Sequence, residues 1–294
     1  MASNAKSQKN GFVIVDKDPG WTSHDVVART RKILDTRKVG HSGTLDPPAT
    51  GVLILGVGKA TRLLKFITDL PKRYTATMVL GKETSTLDAE GQVTFTQDPT
   101  GITLEALKSA ASEYTGEILQ IPPMVSAVKI DGKRLYELAR EGKSIEREPR
   151  KIHIFDLAIE LTPEEHVYEL SVACGSGTYV RSLVSDIARS AGTVAHVGTL
   201  RRNAIGSFTE SEADPIEGIK IIGLSEGLRD YPRVLVNPKD AALVNVGKVF
   251  DKDHFALGDS AGPWAFIDQQ EELLAVYKPH QGSTIKPDVV IPSD

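Results

Sequence analysis

The chain is poor in the residues that build disulfides, metal centres and membrane spans. Cys174 is the single cysteine among 294 residues, which excludes an intramolecular disulfide. The seven histidines form no H-E-x-x-H motif and no cluster with cysteine, so no metal is expected. No apolar run approaches the roughly 18 residues of a membrane-spanning helix, and polar segment 1–10 has no signal-peptide core. We therefore expect a cytoplasmic protein with a disordered N-terminus over 1–10 and no membrane partner.

Several common catalytic motifs are also missing. Segment 51–61 is similar to a phosphate-binding loop, but Val57 follows Gly56 where that loop requires lysine. The dinucleotide fingerprint fails because Thr61 stands where its third glycine belongs. The chain contains no G-x-S-x-G motif, so a serine hydrolase is not indicated. What remains is chemistry centred on a carboxylate, or a binding module without catalysis.

Charge is divided unevenly along the chain. The formal net charge is −4, yet residues 211–294 hold 14 acidic and 8 basic residues. Residues 1–210 hold 27 basic and 25 acidic residues, and segment 124–151 within them holds eight basic and five acidic ones. A segment of mixed charge is usually a solvated helix face. Segment 124–151 becomes significant only if the partner is a polyanion.

The order of apolar patterns favours an α+β fold. Strand-like and helix-like segments alternate without a regular βαβ rhythm, which predicts a mixed, largely antiparallel sheet flanked by helices. Ser23 is predicted to cap a helix over 24–34, and a later strand is predicted over 202–208. After Pro232, short β-like segments separated by turns predict a small β-rich C-terminal domain over 231–294, following a main domain over 11–230.

The densest turn chemistry lies in segment 40–51. It contains three glycines, two adjacent prolines and one carboxylate, Asp46, so it is predicted to be a shaped loop. A constrained loop holds a carboxylate in one place, as a nucleophile or general base requires. The alternative is that Asp46 merely caps a turn, as aspartate before proline often does. Spacing alone does not decide between these interpretations.

Five motifs follow one another in a fixed order. They are 17–23, the loop 40–51 with the strand start after it, Lys72-Arg73-Tyr74, the pair 126–129 and 132–136, and 175–183 with Asp186. In this order they resemble the TruB family of tRNA pseudouridine synthases, bacterial enzymes that modify uridine-55 in the T-loop. The resemblance covers residues 11–210. Two features depart from the family pattern: Asp18 intervenes between Lys17 and Pro19, and the C-terminal part is acidic.

The resemblance implies a fold and a reaction. The main domain is expected to be pseudouridine-synthase-like and the C-terminal domain PUA-like. The implied reaction isomerises uridine-55 by base flipping, with Asp46 as nucleophile and no cofactor. The resemblance also implies that Arg181 pairs with Asp46, and that Tyr74 stacks on the uracil and takes part in proton transfer.

The resemblance further implies residues that contact the RNA. His41 is expected to hold the target nucleotide out of its loop, and Tyr179 and Leu200 to line the base pocket. Lys17 is expected to steady the catalytic loop or a phosphate. Segment 124–151 is expected to clasp the T-arm, using Lys129, Lys133 and Arg134. Each residue also has a plainer interpretation as a turn, core or surface side chain.

Two further functions remain open from the sequence. One is an RNA-folding helper that holds the tRNA elbow, with isomerisation as a secondary activity. The other is a guide-RNA-dependent relative that acts on ribosomal RNA. The continuous insertion 124–151 favours a stand-alone enzyme, because an enzyme without a guide must grip its own substrate. We therefore expect a monomer that binds the T-arm of tRNA and uses no guide RNA.

Overall fold

The structure, a computed structural model, describes residues 9–124, 129–130, 133–134 and 147–292. The strands are β1 (Gly11–Lys17), β2 (Val39–His41), β3 (Thr50–Val57), β4 (Lys72–Leu80), β5 (Lys82–Thr84), β6 (Val93–Thr96), β7 (Gly116–Gln120), β8 (Lys129–Ile130), β9 (Lys133–Arg134), β10 (Arg150–Leu161), β11 (Val167–Cys174), β12 (Ala195–Ile205), β13 (Phe208–Thr209), β14 (Arg233–Leu235), β15 (Phe250–Asp251), β16 (Trp264–Ile267), β17 (Leu273–Pro279) and β18 (Thr284–Val290). The helices are α1 (Ser23–Ile33), α2 (Leu64–Asp69), α3 (Leu104–Ser112), α4 (Val180–Ser190) and α5 (Pro238–Asn245).

Nine strands form the main sheet. Seven follow the order β1-β3-β12-β4-β11-β10-β7, while β2 pairs with β3 and β13 pairs with β12. The β12–β3 pairing is parallel, and the other pairings are antiparallel. Alternating residues of β4 such as Ala76 and Met78 are buried with Leu107 of α3 and Leu183 of α4 in one apolar cluster. The predicted α+β fold with a mixed, largely antiparallel sheet is confirmed.

The start of α1 differs from the prediction by one residue. Thr22, not Ser23, is the N-cap: its hydroxyl accepts from the Asp25 N–H at 3.1 Å, and the Asp25 carboxylate accepts from the Thr22 N–H at 2.9 Å. Ser23 is buried instead. Its hydroxyl accepts from the Leu45 N–H at 2.9 Å and lies 3.3 Å from the Leu45 carbonyl oxygen. The first turn of α1 is therefore tied to the residue that precedes Asp46.

Two further elements depart from the sequence pattern. β12 begins at Ala195, seven residues before the predicted start. The sequence pattern does not show this first part, because register shifts near Gly198 interrupt the pairing with β4 and break the alternation of side chains. α5 was not predicted. It is capped by Asn237 and buries only Val244, so it carries little helical periodicity.

The C-terminal strands form a second sheet in the order β14-β16-β17-β18-β15. One face of this sheet packs directly on the main sheet. The shared apolar cluster includes Phe12 and Ile67 from the main sheet side, and Ile267 and Val276 from the second sheet. A β-rich C-terminal part is confirmed, whereas a domain boundary near residue 230 stays a prediction.

Part of the predicted RNA-clasping insertion is described only as backbone. β8 and β9 pair antiparallel. The side chains of Lys129, Lys133 and Arg134 lie outside the described residues, as do residues 1–8 and most of 125–146. None of the helices in the described ranges is long and apolar enough to cross a membrane.

Candidate active site

The loop that carries Asp46 runs between β2 and β3 and is held by hydrogen bonds from the buried Lys17 side chain. This lysine ends β1 and is 1% exposed. Its ammonium group donates to the carbonyl oxygens of Ala49 at 2.6 Å and Pro47 at 3.1 Å. Burial lowers the pKa of Lys17 to about 8, against the opposing charges of Asp18 and Asp46. Of the two roles expected for Lys17, its contacts are those of a residue that steadies the loop.

Gly51 closes the other end of the loop. Its φ is +100°, a backbone conformation that L-residues with a side chain rarely adopt. A Cβ atom at this position would lie 2.3 Å from the carbonyl oxygen of Arg202, which pairs with Gly51 across the β12–β3 ladder. Glycine is therefore required here both by conformation and by the close approach of the neighbouring strand.

Gly51→Ala is expected to destabilise the protein by about 2–6 kcal/mol, since the left-handed backbone costs about 1–3 kcal/mol and the overlap with β12 about as much again. Denaturant unfolding measures this loss. Gly101→Ala is the matched control, because Gly101 has a φ of +91° and open space around it. Equal losses in the two variants would show that the approach of Arg202 contributes nothing.

Asp46 and Arg181 are in direct contact. Arg181, in the first turn of α4, places its Nη2 atom 2.9 Å from Asp46 Oδ2. Its Nη1 atom lies 3.2 Å from Asp88 Oδ2 and donates to the Thr86 carbonyl oxygen at 2.8 Å. The Arg181 side chain is 5% exposed and that of Asp46 is 36% exposed. A buried guanidinium thus lies between two carboxylates, and one of these remains open to solvent.

The electrostatics of Asp46 balance opposing effects. Burial raises the pKa of its carboxyl group above the ordinary value, the Arg181 guanidinium lowers it, and the nearby Asp88 carboxylate raises it again. Lys17 adds a smaller lowering effect. Arg181 is therefore the main group that keeps Asp46 ionised in a site that disfavours charge.

A cleft of about 310 Å³, part of it open to solvent, lies above this ion pair. It is lined by Asp46, Pro48, Ala49, Asp88, Ala89, Arg181, Val197, Gly198 and Leu200. The lining combines the charged side chains of Asp46, Asp88 and Arg181 with apolar residues such as Leu200 of β12. The described residues include no group of three or more His, Cys, Asp or Glu side chains that could hold a metal ion.

Tyr74 lies on β4 beside this cleft. Its register partners are Val172 on β11 and Arg202 on β12. Tyr74 and Leu200 both pack against the two apolar clusters on either side of the sheet centre. Burial raises the pKa of Tyr74, so its side chain is a neutral phenol at physiological pH. Tyr74 is not among the residues that line the cleft as the structure stands.

His41 is the last residue of β2 and stays uncharged. Its ring lies edge-on to His24 with centroids 5.2 Å apart, and its Nδ1 accepts from the Gly43 N–H at 3.3 Å. Burial lowers the pKa of His41 to about 4, with additional lowering by His24 and Arg202. Because Nδ1 accepts a hydrogen bond, the proton of the neutral ring resides on Nε2, which is free to donate to a ligand.

Tyr179 caps α4 and is fixed through its main chain. The Gln120 side chain accepts from the Tyr179 N–H at 2.8 Å and donates to its carbonyl oxygen at 3.0 Å. This clamp sets the start of the helix two residues before Arg181. The Tyr179 ring is half-buried and does not line the cleft, so its contact with a base stays a prediction.

Three residues of the site were missed by the sequence reasoning: Asp88, Ser23 in its buried role, and Arg202. Asp88 stands in the polar stretch 81–91, which has the composition of an ordinary surface connection. Arg202 is 1% exposed although it follows Arg201 in a segment that reads as a strand. The available signal was an arginine inside a strand pattern. Such a residue either faces solvent or is buried and held by specific hydrogen bonds.

The pattern of these residues has a counterpart among known proteins. Residues 31–180 match the model of the TruB family pseudouridylate synthase (N terminal domain), a span that contains Asp46, Tyr74 and Asp88. The chain belongs to this family. TruB family relatives include tRNA pseudouridine synthase B of Syntrophotalea carbinolica, 43% identical over 81% of both chains. The same-named protein of Listeria welshimeri is 39% identical over 92% of this chain and 94% of that one.

The fold of this chain is also similar to that of a protein in a solved multi-protein complex. The crystal structure of a Cbf5-Nop10-Gar1 complex aligns with a TM-score of 0.74 and 26% sequence identity, over 96% of this chain and 85% of that chain. The similarity therefore includes the second sheet as well as the matched family domain. The similarity to the TruB family expected from five motifs is thus confirmed across most of the chain.

Proposed function

We propose that this chain converts uridine-55 in the T-loop of tRNA to pseudouridine, with Asp46 as the catalytic carboxylate. The observation that carries the proposal is the 2.9 Å contact between Asp46 and buried Arg181 at the wall of an open cleft. Curated relatives named tRNA pseudouridine synthase B support the substrate class and the reaction. The protein acts as a monomer and without a guide RNA.

The reaction is an isomerisation that requires no redox step. The N1–C1′ bond of the uridine breaks, the uracil rotates, and a C5–C1′ bond forms while C5 loses a proton and N1 gains one. One carboxylate suffices, either by attacking the sugar or base or by removing a proton from the ribose. Arg181 keeps Asp46 ionised and aimed during either step.

The target base must leave its stack to reach Asp46. Extrusion costs a few kcal/mol, part of which is offset by stacking on aromatic side chains. Leu200 lines the cleft and Tyr74 lies beside it, so both are placed to contact an extruded uracil. Neutral His41 offers its Nε2–H to the RNA without adding a charge.

The surface near the loop suits a polyanion. Arg31 and Lys32 in the last turn of α1, and Arg37 and Lys38 between α1 and β2, are exposed, with Asp35 as the one carboxylate in segment 31–38. These cations end three residues before His41, so RNA phosphates that flank the target nucleotide lie within reach of them. This distribution supports RNA as partner although the whole chain carries a net charge of −4.

Incubation of the purified protein alone with an unmodified T-stem-loop transcript tests the proposal, followed by mapping of pseudouridine at single-nucleotide resolution. Product is expected at uridine-55, and a hairpin with cytidine at that position is the control. Product that requires an added RNA or protein would favour the guide-dependent alternative. RNA binding without product would favour the folding helper, and light scattering of the same sample tests the monomer.

A further inference from the structure

Arg202 is a buried cation with unusual partners. It is 1% exposed, and among the described residues no carboxylate lies within ion-pair distance of its guanidinium. Its Nε atom donates to the Val52 carbonyl oxygen at 2.7 Å, and its Nη2 atom donates to the Gly43 carbonyl oxygen at 3.3 Å. A buried charge is costly unless it is paired, so a positive charge held by two carbonyl groups and the Tyr74 phenol, without a carboxylate partner, indicates a specific requirement.

These contacts reach both ends of the loop that carries Asp46. Gly43 precedes Asp46 by three residues, and Val52 directly follows the loop-closing Gly51. The main chain of Arg202 also pairs with Gly51, whose missing side chain permits the close approach described above. One residue of β12 therefore joins the two ends of the catalytic loop to the centre of the main sheet.

The same residue lies next to Tyr74. Arg202 and Tyr74 are directly opposed on the antiparallel strands β12 and β4, and the Cβ atoms of such a pair are about 5 Å apart. The guanidinium charge lowers the pKa of the phenol, against the larger raising effect of burial. Cys174 on β11 and Asp46 on the loop oppose Arg202 by raising the same pKa. Lys72 on β4 is the other cation that lies near both Cys174 and Arg202.

We propose that Arg202 is a positioning residue that fastens both ends of the Asp46 loop to β12 and holds a positive charge beside the Tyr74 hydroxyl. The separation between Asp46 and Tyr74 is then fixed before RNA binds. This inference rests on the proposed function, because Asp46 and Tyr74 are assigned to the reaction there. Arg202 itself does not line the cleft, so its effect is exerted through these two residues.

Two substitutions separate the loop contacts from the charge. Arg202→Gln removes the charge and the fork of donors. Arg202→Lys keeps the charge beside Tyr74 but cannot serve both carbonyl oxygens with fixed geometry. We expect Gln to lower kcat about 100-fold, the order of loss that a misplacement of about 1 Å produces. KM for the T-stem-loop should change less than about threefold, since Arg202 is buried beneath the cleft.

The RNA-free protein supplies a second readout. With 3-fluorotyrosine incorporated, the ¹⁹F resonance of Tyr74, assigned by its loss in Tyr74→Phe, is followed as pH rises. The titration is expected to move to higher pH in Arg202→Gln, because a cation that favours the phenolate is gone, and to stay near that of the unsubstituted protein in Arg202→Lys. Amide hydrogen exchange over 43–52 is expected to accelerate in both variants.

Arg201→Gln is the matched control. Arg201 is the adjacent arginine, about one-third exposed, and pairs with Asp16 and Glu210. Its contact with the loop is a long 3.4 Å hydrogen bond to the Thr50 hydroxyl, not to the Gly43 and Val52 carbonyl oxygens that Arg202 holds. Its substitution should leave kcat, loop exchange and the Tyr74 titration unchanged.

A folded Arg202→Gln variant with kcat within threefold, or with the loss in KM alone, would overturn the proposal. An unmoved Tyr74 titration in that variant would overturn the electrostatic half. If Arg202→Gln does not fold, Arg202→Lys decides, because unchanged kcat and loop exchange there would refute the role in positioning. An unsubstituted protein inactive on the hairpin would refute the proposed function instead, and the titration and exchange data would still report on Arg202.

Discussion

Asp46→Asn is expected to abolish pseudouridine formation, with a loss of about 10⁴-fold or more, the scale seen when a catalytic nucleophile is removed. The amide has nearly the same shape as the carboxylate, but it neither attacks carbon nor accepts a proton. The dissociation constant for the T-stem-loop should change less than about threefold, because Asp46 contributes to the chemical step rather than to RNA binding. Single-turnover assays at saturating enzyme measure the first quantity, and filter binding measures the second.

Glu90→Gln is the matched control for this substitution. Glu90 is an exposed carboxylate beside the cleft, and its backbone N–H donates to Asp88 at 3.1 Å. Its neutralisation should leave the rate unchanged. Product formed by Asp46→Asn within tenfold of the normal rate would contradict the assignment of Asp46. Loss of product together with loss of binding would leave a structural role for the loop as the explanation.

Arg181→Met is expected to lower kcat by about 10²–10³-fold, a loss comparable to that of removing one preorganised electrostatic partner. It leaves Asp46 and Asp88 near each other without the cation that lies between them. The pKa of Asp46, already raised by burial, then rises further. Because the ionised form is the active one, activity is lost on acidification at a higher pH than in the unsubstituted enzyme. Single-turnover rates across pH 5–9 measure the shift.

Asp88→Asn is expected to shift the pKa of Asp46 in the opposite direction. Removal of the Asp88 charge lowers the pKa of Asp46, so the acidic loss of activity moves to lower pH. The effect on kcat should be smaller than that of Arg181→Met, because Arg181 keeps its contact with Asp46. Shifts of both variants in the same direction would contradict the electrostatic account, and thermal unfolding shows that each variant is folded.

The catalytic loop was predictable because its chemistry is local. Glycine and proline density forbids a regular element around Asp46, and this density is visible in twelve consecutive residues. Asp88 was not predictable in the same way. It reaches Arg181 only because the turn between β5 and β6 folds back on β12, where Asp88 forms an isolated bridge with Val197. Such a contact depends on tertiary packing that no local pattern encodes.

Buried cations were the other difficulty. Lys17 and Arg202 belong to residue types that usually face water. The sequence therefore indicated a loop or phosphate contact for Lys17 without its burial, and gave no role to Arg202. Both side chains are buried because they donate hydrogen bonds to main-chain carbonyl oxygens: Lys17 to Ala49 and Arg202 to Val52. These contacts form only once the loop packs against β1 and β12. The N-cap was closer to prediction: the pattern of threonine followed three residues later by Asp25 was present, and only the choice between Thr22 and Ser23 failed.

The apolar cluster shared by the two sheets is expected to make them unfold together. β1 is the outermost strand of the main sheet, and Phe12 on it is fully buried in the cluster that the C-terminal strands complete. The C-terminal sheet cannot detach without exposing that strand to water. Lys17 is the last residue of this strand, and its ammonium group donates a hydrogen bond to the catalytic loop at Ala49. We therefore expect loss of the last strands of the chain to loosen the loop of Asp46 as well.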